Sequence, residues 1–597
     1  MKKSMSRGKI AASDPIREKV KRMKKIRENK RGIKQKQMIC AILAGMVLAT
    51  AVGCGRGAGS WTKSHENHAL EEEMYSEGAA AAETEAAQIE GGMNFATLMD
   101  DSWDSEIVEE KSSEEYNVIE ENGFKLVKDA PLSTFSVDVD TASYTNIRRM
   151  INRGQEIPID AVRIEEMINY FHYDYESPEG DVPFSVTAEL SDCPWNPDSQ
   201  LLLAGLQAKE IDFENRPMSN LVFLLDVSGS MYDANKLPLV QKAFSLLSEE
   251  LTENDRVSIV TYAGYDEVVL EGARGDEKVK IREALDSLTA GGSTAGEAGL
   301  NRAYEVAEKY FIPGGSNRII LATDGDLNVG ISSEEELTKL VVKKREGGVH
   351  LSVLGFGMGN LKDNKMEALA DNGDGNYAYI DDLTEAKRVL VEEMGGTLYT
   401  IAKDVKIQVE FNPSQVYAYR LIGYENRALA DRDFEDDTVD AGEIGAGHRV
   451  TALYELIRDE SKMPGPSLKY QNQKTEDKEE SGGAKAEEGG ETKGGAEEST
   501  DSFADELLTV NIRYKAPDGK ESKLTSLPVK EEVYQEELPD NLRWAAAVAE
   551  FGMILRDSSY KGTSSYEGVI ELISAMPQEK MDDYKDEFKK LVLMVSD

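Results

Sequence analysis

The chain is 597 residues long and carries 69 basic against 111 acidic residues, a formal charge of −42. That length excludes a single ordinary core and implies several folded units with linkers. The charge disfavours a sequence-independent grip on nucleic acid phosphates and points to partners that are cationic or bridged by a cation.

The first 37 residues run against this average, with 15 Lys and Arg against 3 Asp and Glu. The apolar stretch MICAILAGMVLATAVG, Met38 to Gly53, follows. It is shorter than the roughly 20 residues of a stable membrane span, so head and stretch together read as a secretory signal. The stretch ends at Ala51-Val52-Gly53-Cys54. Small residues directly before a cysteine resemble the cleavage box of bacterial lipoproteins. The resemblance implies that residues 1–54 are a signal and that Cys54 becomes the lipidated N-terminus; an uncleaved anchor is the alternative. Either way the remainder is expected outside the cytoplasm, anchored to a bacterial membrane at the cell envelope. With Cys40 removed and Cys54 blocked, Cys193 has no partner, and stability must come from packing or bound metal rather than cross-links.

Residues 55–130 are rich in Ala, Glu, Ser and Gly (EGAAAAETEAAQIEGG). Such a composition buries too little apolar surface to offset chain ordering, so the segment reads as a disordered acidic tether. Residues 131–217 form an expected N-terminal α+β module. Helical spacing in TASYTNIRRMINR and AVRIEEMINYF precedes extended runs, FSVTAEL and LLLAGLQA.

From 218 to 400 two patterns alternate. Apolar runs of strand length (LVFLL, RVSIVTYA, NRIILAT, VHLSVLGFG, NYAYI) are separated by segments of helical period such as KLPLVQKAFSLLSEEL and EAGLNRAYEVAEKYF. Continuous Val, Ile and Leu strands suit a sheet covered on both faces. The repeat predicts an α/β domain with a doubly wound, mostly parallel sheet and a ligand site beyond the carboxyl ends of its strands. Residues 401–597 read as a β-rich module (DVKIQVEF, VYAYRLIGY, ELLTVNIRYKAP) with appended helices. A Gly/Glu/Lys-rich loop, 471–502, interrupts it and reads as disordered.

One run, LVFLLDVSGSMYD, ends a buried strand in Asp226, Ser228 and Ser230. Alternate residues of an extended turn can aim their oxygens at one centre, and a carboxylate with hydroxyls suits a small, hard cation. Mg²⁺ wants about six oxygen ligands, so further donors are expected from other strand ends. AGGSTAGEAGL supplies Thr294 and IILATDGD supplies Asp324. The five residues resemble the metal-ion-dependent adhesion site of von Willebrand factor type A (VWA) domains. That pattern is D-x-S-x-S on the first loop, Thr on the second and Asp before Gly on the third. Flanking stretches such as FSVDVDTASYTNIRRMINRG and DAGEIGAGHRVTALYE resemble those of a bacterial lipoprotein family that carries a VWA domain between its own modules. The resemblance implies a divalent ion, Mg²⁺ first with Mn²⁺ or Ca²⁺ as alternatives. It also implies an open coordination position for an Asp or Glu carboxylate of a protein partner.

Competing motifs are incomplete. A phosphorylated Asp226 would want a second Asp where Ser228 stands. No G-x-S-x-G elbow surrounds Ser228 or Ser293. His65 and His68, in H-E-N-H, are one residue short of a zinc-protease spacing, and GFGMGN has Asn360 where a dinucleotide loop needs its third glycine. The expectation is therefore a binding protein and not an enzyme. Docking of the ion within the chain or between copies is the structural alternative, and a metal-dependent hydrolase is the third reading.

Overall fold

A computed structural model describes residues 114–596 except 138, 181, 213–215, 294–295, 326–333, 360, 464–502, 504 and 518. The signal with Cys54, the tether up to residue 113, Thr294 and the loop 471–502 lie outside the described residues. Among those described, no helix is long and apolar enough to cross a membrane.

The α/β domain is a six-stranded sheet. It is built from β5 (Ser219–Asp226), β6 (Arg256–Tyr262), β7 (Asp266–Arg274), β8 (Ser316–Thr323), β9 (His350–Phe356) and β10 (Tyr377–Ile380), in spatial order β10-β9-β8-β5-β6-β7. All pairings are parallel except β6 with the edge strand β7. Every residue of β5 is buried. Its side chains alternate between two cores, as a period of two demands. Leu221, Phe223 and Leu225 meet the helix Leu237–Glu249, while Val222 and Leu224 meet the helix Gly296–Lys309. The doubly wound fold is thus present, with one antiparallel edge strand.

The segments before and after this domain share two antiparallel sheets. One has the order β1 (Lys125–Leu126), β12 (Ala418–Ile422), β14 (Arg449–Ile457), β4 (Gln200–Ala208) and β3 (Phe184–Asp192). The other orders β13 (Ile444–Gly445), β11 (Thr400–Phe411), β15 (Glu506–Lys515) and β16 (Ser522–Lys530), with β2 (Leu132–Ser136) also paired to β11. Phe135, Leu202, Leu206, Val409 and Tyr454 pack in the core between them. On β4, Leu201 and Leu203 point the other way. They pack under the helices Ala142–Arg153, Ile164–Asn169, Asp540–Arg556, Tyr566–Ser574 and Asp583–Ser596. A strand covered on both faces explains why LLLAGLQA reads as unbroken apolar sequence.

Residues 114–130, expected as the end of the tether, instead lie on the folded body. β1 pairs with β12, Val127 is buried, and the ring of Phe124 meets that of Tyr560 edge-on at 5.9 Å. Three apolar residues in NGFKLVKD, Phe124, Leu126 and Val127, supply the anchoring.

Buried ion pairs fasten the α/β domain to its surroundings. Arg148, on the first helix, donates to Asp381 at 3.0 Å, to Glu385 at 2.9 Å and to Glu587 at 3.1 Å. Arg163 binds Glu367 at 2.9 Å and also Asp363, while Arg388 donates to Thr141 at 2.9 Å. Removing one member of such a set strands the others as buried, uncompensated charges. The Arg148→Ala variant is therefore expected to lose about 3–5 kcal/mol of stability, read as a fall in the urea midpoint, whereas Arg302→Ala, in an exposed pair with Glu305, should lose less than about 1 kcal/mol.

Candidate metal centre

The site forms where β5 and β8, adjacent and parallel, reach their carboxyl ends. The register sets Leu225 beside Ala322, so Asp226 and the Thr323-Asp324 pair leave the sheet side by side. Both aspartates are buried. Asp226 accepts hydrogen bonds from the Ser228 backbone N–H at 2.8 Å, the Thr323 hydroxyl at 3.2 Å and the Tyr262 hydroxyl at 3.3 Å. These donors are all neutral. Burial pushes the Asp226 carboxyl up to about 6, and the neighbouring Asp324 charge adds to the shift against the pull of the Ser228 and Thr323 hydrogen bonds.

The first loop is held in shape by its own backbone and by the second loop. Val227 N–H donates to the Tyr262 carbonyl at 3.1 Å, Gly291 N–H to the Val227 carbonyl at 2.8 Å, and Gly229 N–H to the Gly292 carbonyl at 3.1 Å. Gly292 has φ +85°, a left-handed conformation that favours glycine. Met231 is fully buried and anchors the turn from beneath. The hydroxyls of Ser228 and Ser230 come within 2.9 Å of each other. Ser228 is buried and Ser230 is exposed, so the pair spans the wall and the mouth of the site.

Four of the five residues singled out from sequence, Asp226, Ser228, Ser230 and Asp324, therefore meet at neighbouring loops; Thr294 lies outside the described residues. Sequence reasoning missed Tyr262 and Thr323, which brace Asp226. It also missed Lys236, whose ammonium donates to Asp324 Oδ2 at 2.8 Å. Thr323 was legible as the residue before the aspartate in ATDGD. Lys236 carries no local signal, because its role depends on where the first loop folds back.

The donor chemistry fits a hard divalent cation. It offers only oxygens, and it includes a buried carboxylate braced by neutral groups, which a cation would compensate. No group of three or more His, Cys, Asp or Glu side chains among the described residues is placed to hold a metal, so an ion here depends on the serine hydroxyls for part of its shell.

A doubly wound sheet that carries these loops at its carboxyl edge is a VWA domain. Residues 220–392 match the family model described as von Willebrand factor type A domain, and residues 110–203 match one described as von Willebrand factor. Residues 396–597 match the model described as Uncharacterized protein YfbK, C-terminal. The chain belongs to the YfbK family: it is 42% identical over 484 residues to Uncharacterized protein YfbK of Escherichia coli (strain K12), which covers 80% of each chain. Among solved structures, a von Willebrand factor type A protein from Catenulispora acidiphila covers 71% of this chain and 98% of its own at 14% identity, with a TM-score of 0.37. Proximal thread matrix protein 1 from the mussel byssus, with a zinc-occupied MIDAS motif, covers 30% of this chain and 45% of its own at 20% identity, with a TM-score of 0.25. VWA domains commonly bind a divalent cation and mediate metal-dependent protein interactions.

Mn²⁺ titrated into the protein and followed by electron paramagnetic resonance should be taken up by the wild type. Asp226→Ala should weaken uptake at least ~100-fold, because the site loses one of its two buried carboxylates. Glu305→Ala, on an exposed helix face, should leave uptake unchanged.

Proposed function

We propose that this chain is a lipid-anchored cell-envelope protein that captures a protein partner through a divalent ion, Mg²⁺ first, held by Asp226, Ser228, Ser230, Thr294 and Asp324. The observation that carries this reading is the convergence of two buried carboxylates and two hydroxyls at a loop edge that also opens to solvent. An ion bound there would leave a coordination position for an Asp or Glu of the partner. A carboxylate meeting a partly desolvated divalent ion gains an interaction that a neutral group cannot. This answers how so acidic a chain draws an acidic partner group, since the ion sets the local charge. The reading is one of binding and not of turnover.

Two tyrosines flank the mouth. Tyr232, two residues past Ser230, is 80% exposed, and Tyr265, on the β6–β7 turn, is 72% exposed. That turn abuts the second loop, since a Cβ placed on Gly292 would come within 3.4 Å of the Gly264 backbone nitrogen. Exposed tyrosines beside a charged centre are the residue type that supplies contact area at interfaces. Cys54 supplies the membrane attachment in this reading.

Immobilised protein incubated with envelope extract in Mg²⁺ should retain a partner that EDTA releases and that Asp226→Ala fails to retain. Tyr232→Ala and Tyr265→Ala should each weaken retention about tenfold while leaving Mn²⁺ uptake intact. Retention that survives both EDTA and Asp226→Ala would refute the mechanism. A change in sedimentation of the isolated protein on adding EDTA would favour docking within the chain or between copies.

A further inference from the structure

Lys236 is the unexpected charge in the site. It directly precedes the helix Leu237–Glu249, and its backbone is fixed there. Its N–H donates to the Asp233 carbonyl at 2.9 Å, and its own carbonyl accepts from Leu239 and Val240, each at 2.9 Å. Only 7% of the residue is exposed. Its side chain runs beneath the turn that follows β9 and ends on Asp324, whose side chain is wholly buried.

That turn is the GFGMGN segment, which matched no nucleotide-binding pattern. Its second glycine has a use here. Gly357 has φ +77°, and a Cβ at that position would lie 2.5 Å from Lys236 Cε and 2.7 Å from Cγ. The backbone of Gly357 is fixed in turn by the Tyr379 hydroxyl, which donates to its carbonyl. The turn after β9 thus leaves a channel for one lysine stem. Burying an ammonium is costly unless it is paired, so its delivery to a single carboxylate of a cation site calls for an account beyond packing.

We propose that Lys236 is a built-in counter-cation of the metal centre: it neutralises Asp324 when no divalent ion is bound, opposes the ion's binding, and leaves the loaded centre with a net positive charge. This rests on the reading of these loops as a divalent-cation site. Among the described residues, the buried heart of the site holds two carboxylates and one ammonium, Asp226, Asp324 and Lys236, a formal charge of minus one. A divalent ion turns this to plus one, whereas without the lysine the loaded centre would be neutral. The lysine thereby does two things. It keeps the two aspartates from facing each other uncompensated in the metal-free protein, and it makes the loaded centre electrophilic enough to prefer a carboxylate over water or a neutral oxygen as its last ligand.

The test is calorimetric titration of the full chain with MgCl₂ and, separately, MnCl₂, with circular dichroism to follow folding. Wild-type protein should bind an ion and Asp226→Ala should bind it at least ~100-fold more weakly; if the wild type and the lysine variants all bind none, it is the reading of the site that has failed. Lys236→Met and Lys236→Gln, which remove the charge but keep much of the side-chain length, should bind either ion at least ~10-fold more tightly than wild type. Lys236→Arg, which keeps the charge, should stay near the wild-type value. The metal-free Met and Gln variants should also melt at lower temperature, and saturating Mg²⁺ should raise their melting point further than it raises that of the wild type. A variant that folds only in Mg²⁺ would support the proposal, because the ion then supplies the missing charge. Wild-type or weaker affinity in the folded Met and Gln variants would overturn it. So would failure of both to fold with and without Mg²⁺, which would make Lys236 a structural brace.

Discussion

Two carboxylates end adjacent parallel strands and are buried within reach of each other's charge. Everything at the carboxyl edge of the sheet answers that arrangement. Asp226 is held by a backbone amide and two hydroxyls, all neutral, and its carboxyl is pushed up by burial. Asp324 is held by an ammonium drawn in from the next helix. In low dielectric such a pair cannot remain bare, so it is either compensated from within the chain or by a cation from outside. The loops set two serine hydroxyls 2.9 Å apart beside the pair and bring a lysine onto Asp324.

The frame that carries that edge is assembled from both flanking segments. The α/β domain leaves and re-enters a β-sandwich whose two sheets mix strands from both ends of the chain, so neither flanking segment has a closed core of its own. Arg148, Arg163 and Arg388 reach between the first helices and the last elements of the α/β domain, and each meets carboxylates or hydroxyls that are themselves buried. Between Leu383 and Leu398 the final helical segment includes a π turn, Arg388–Glu392, that sets the Arg388 guanidinium over the Tyr170 ring at 4.0 Å. Irregular turns of this kind persist when surrounding contacts over-determine them. Here those contacts join the α/β domain to its frame.

Much of this was legible in the chain because it is local. Alternating apolar runs and helical periods gave the doubly wound sheet, and the D-x-S-x-S turn gave Asp226, Ser228 and Ser230 directly. The edge strand β7 escaped notice because DEVVLEGAR is half exposed, with a burial pattern that lacks the continuous apolar run of its neighbours. The docking of residues 114–130 escaped because a few apolar residues scattered through an acidic stretch do not register against its composition.

What the sequence by itself determined is whatever depends on residues close together along it: which segments are strands and helices, which strand ends carry oxygens, and the contrast between a basic, apolar head and an acidic body. What only the tertiary structure decided is what depends on encounters across hundreds of residues. Leu202 and Tyr454 lie on neighbouring strands of one sheet, Arg388 donates to the Thr141 hydroxyl, and a lysine ends on an aspartate 88 positions away because a glycine farther along leaves room for its stem. Periodicity and turn chemistry report the backbone's own preferences, whereas the choice of which buried charge meets which is made only when the packed strands bring them face to face.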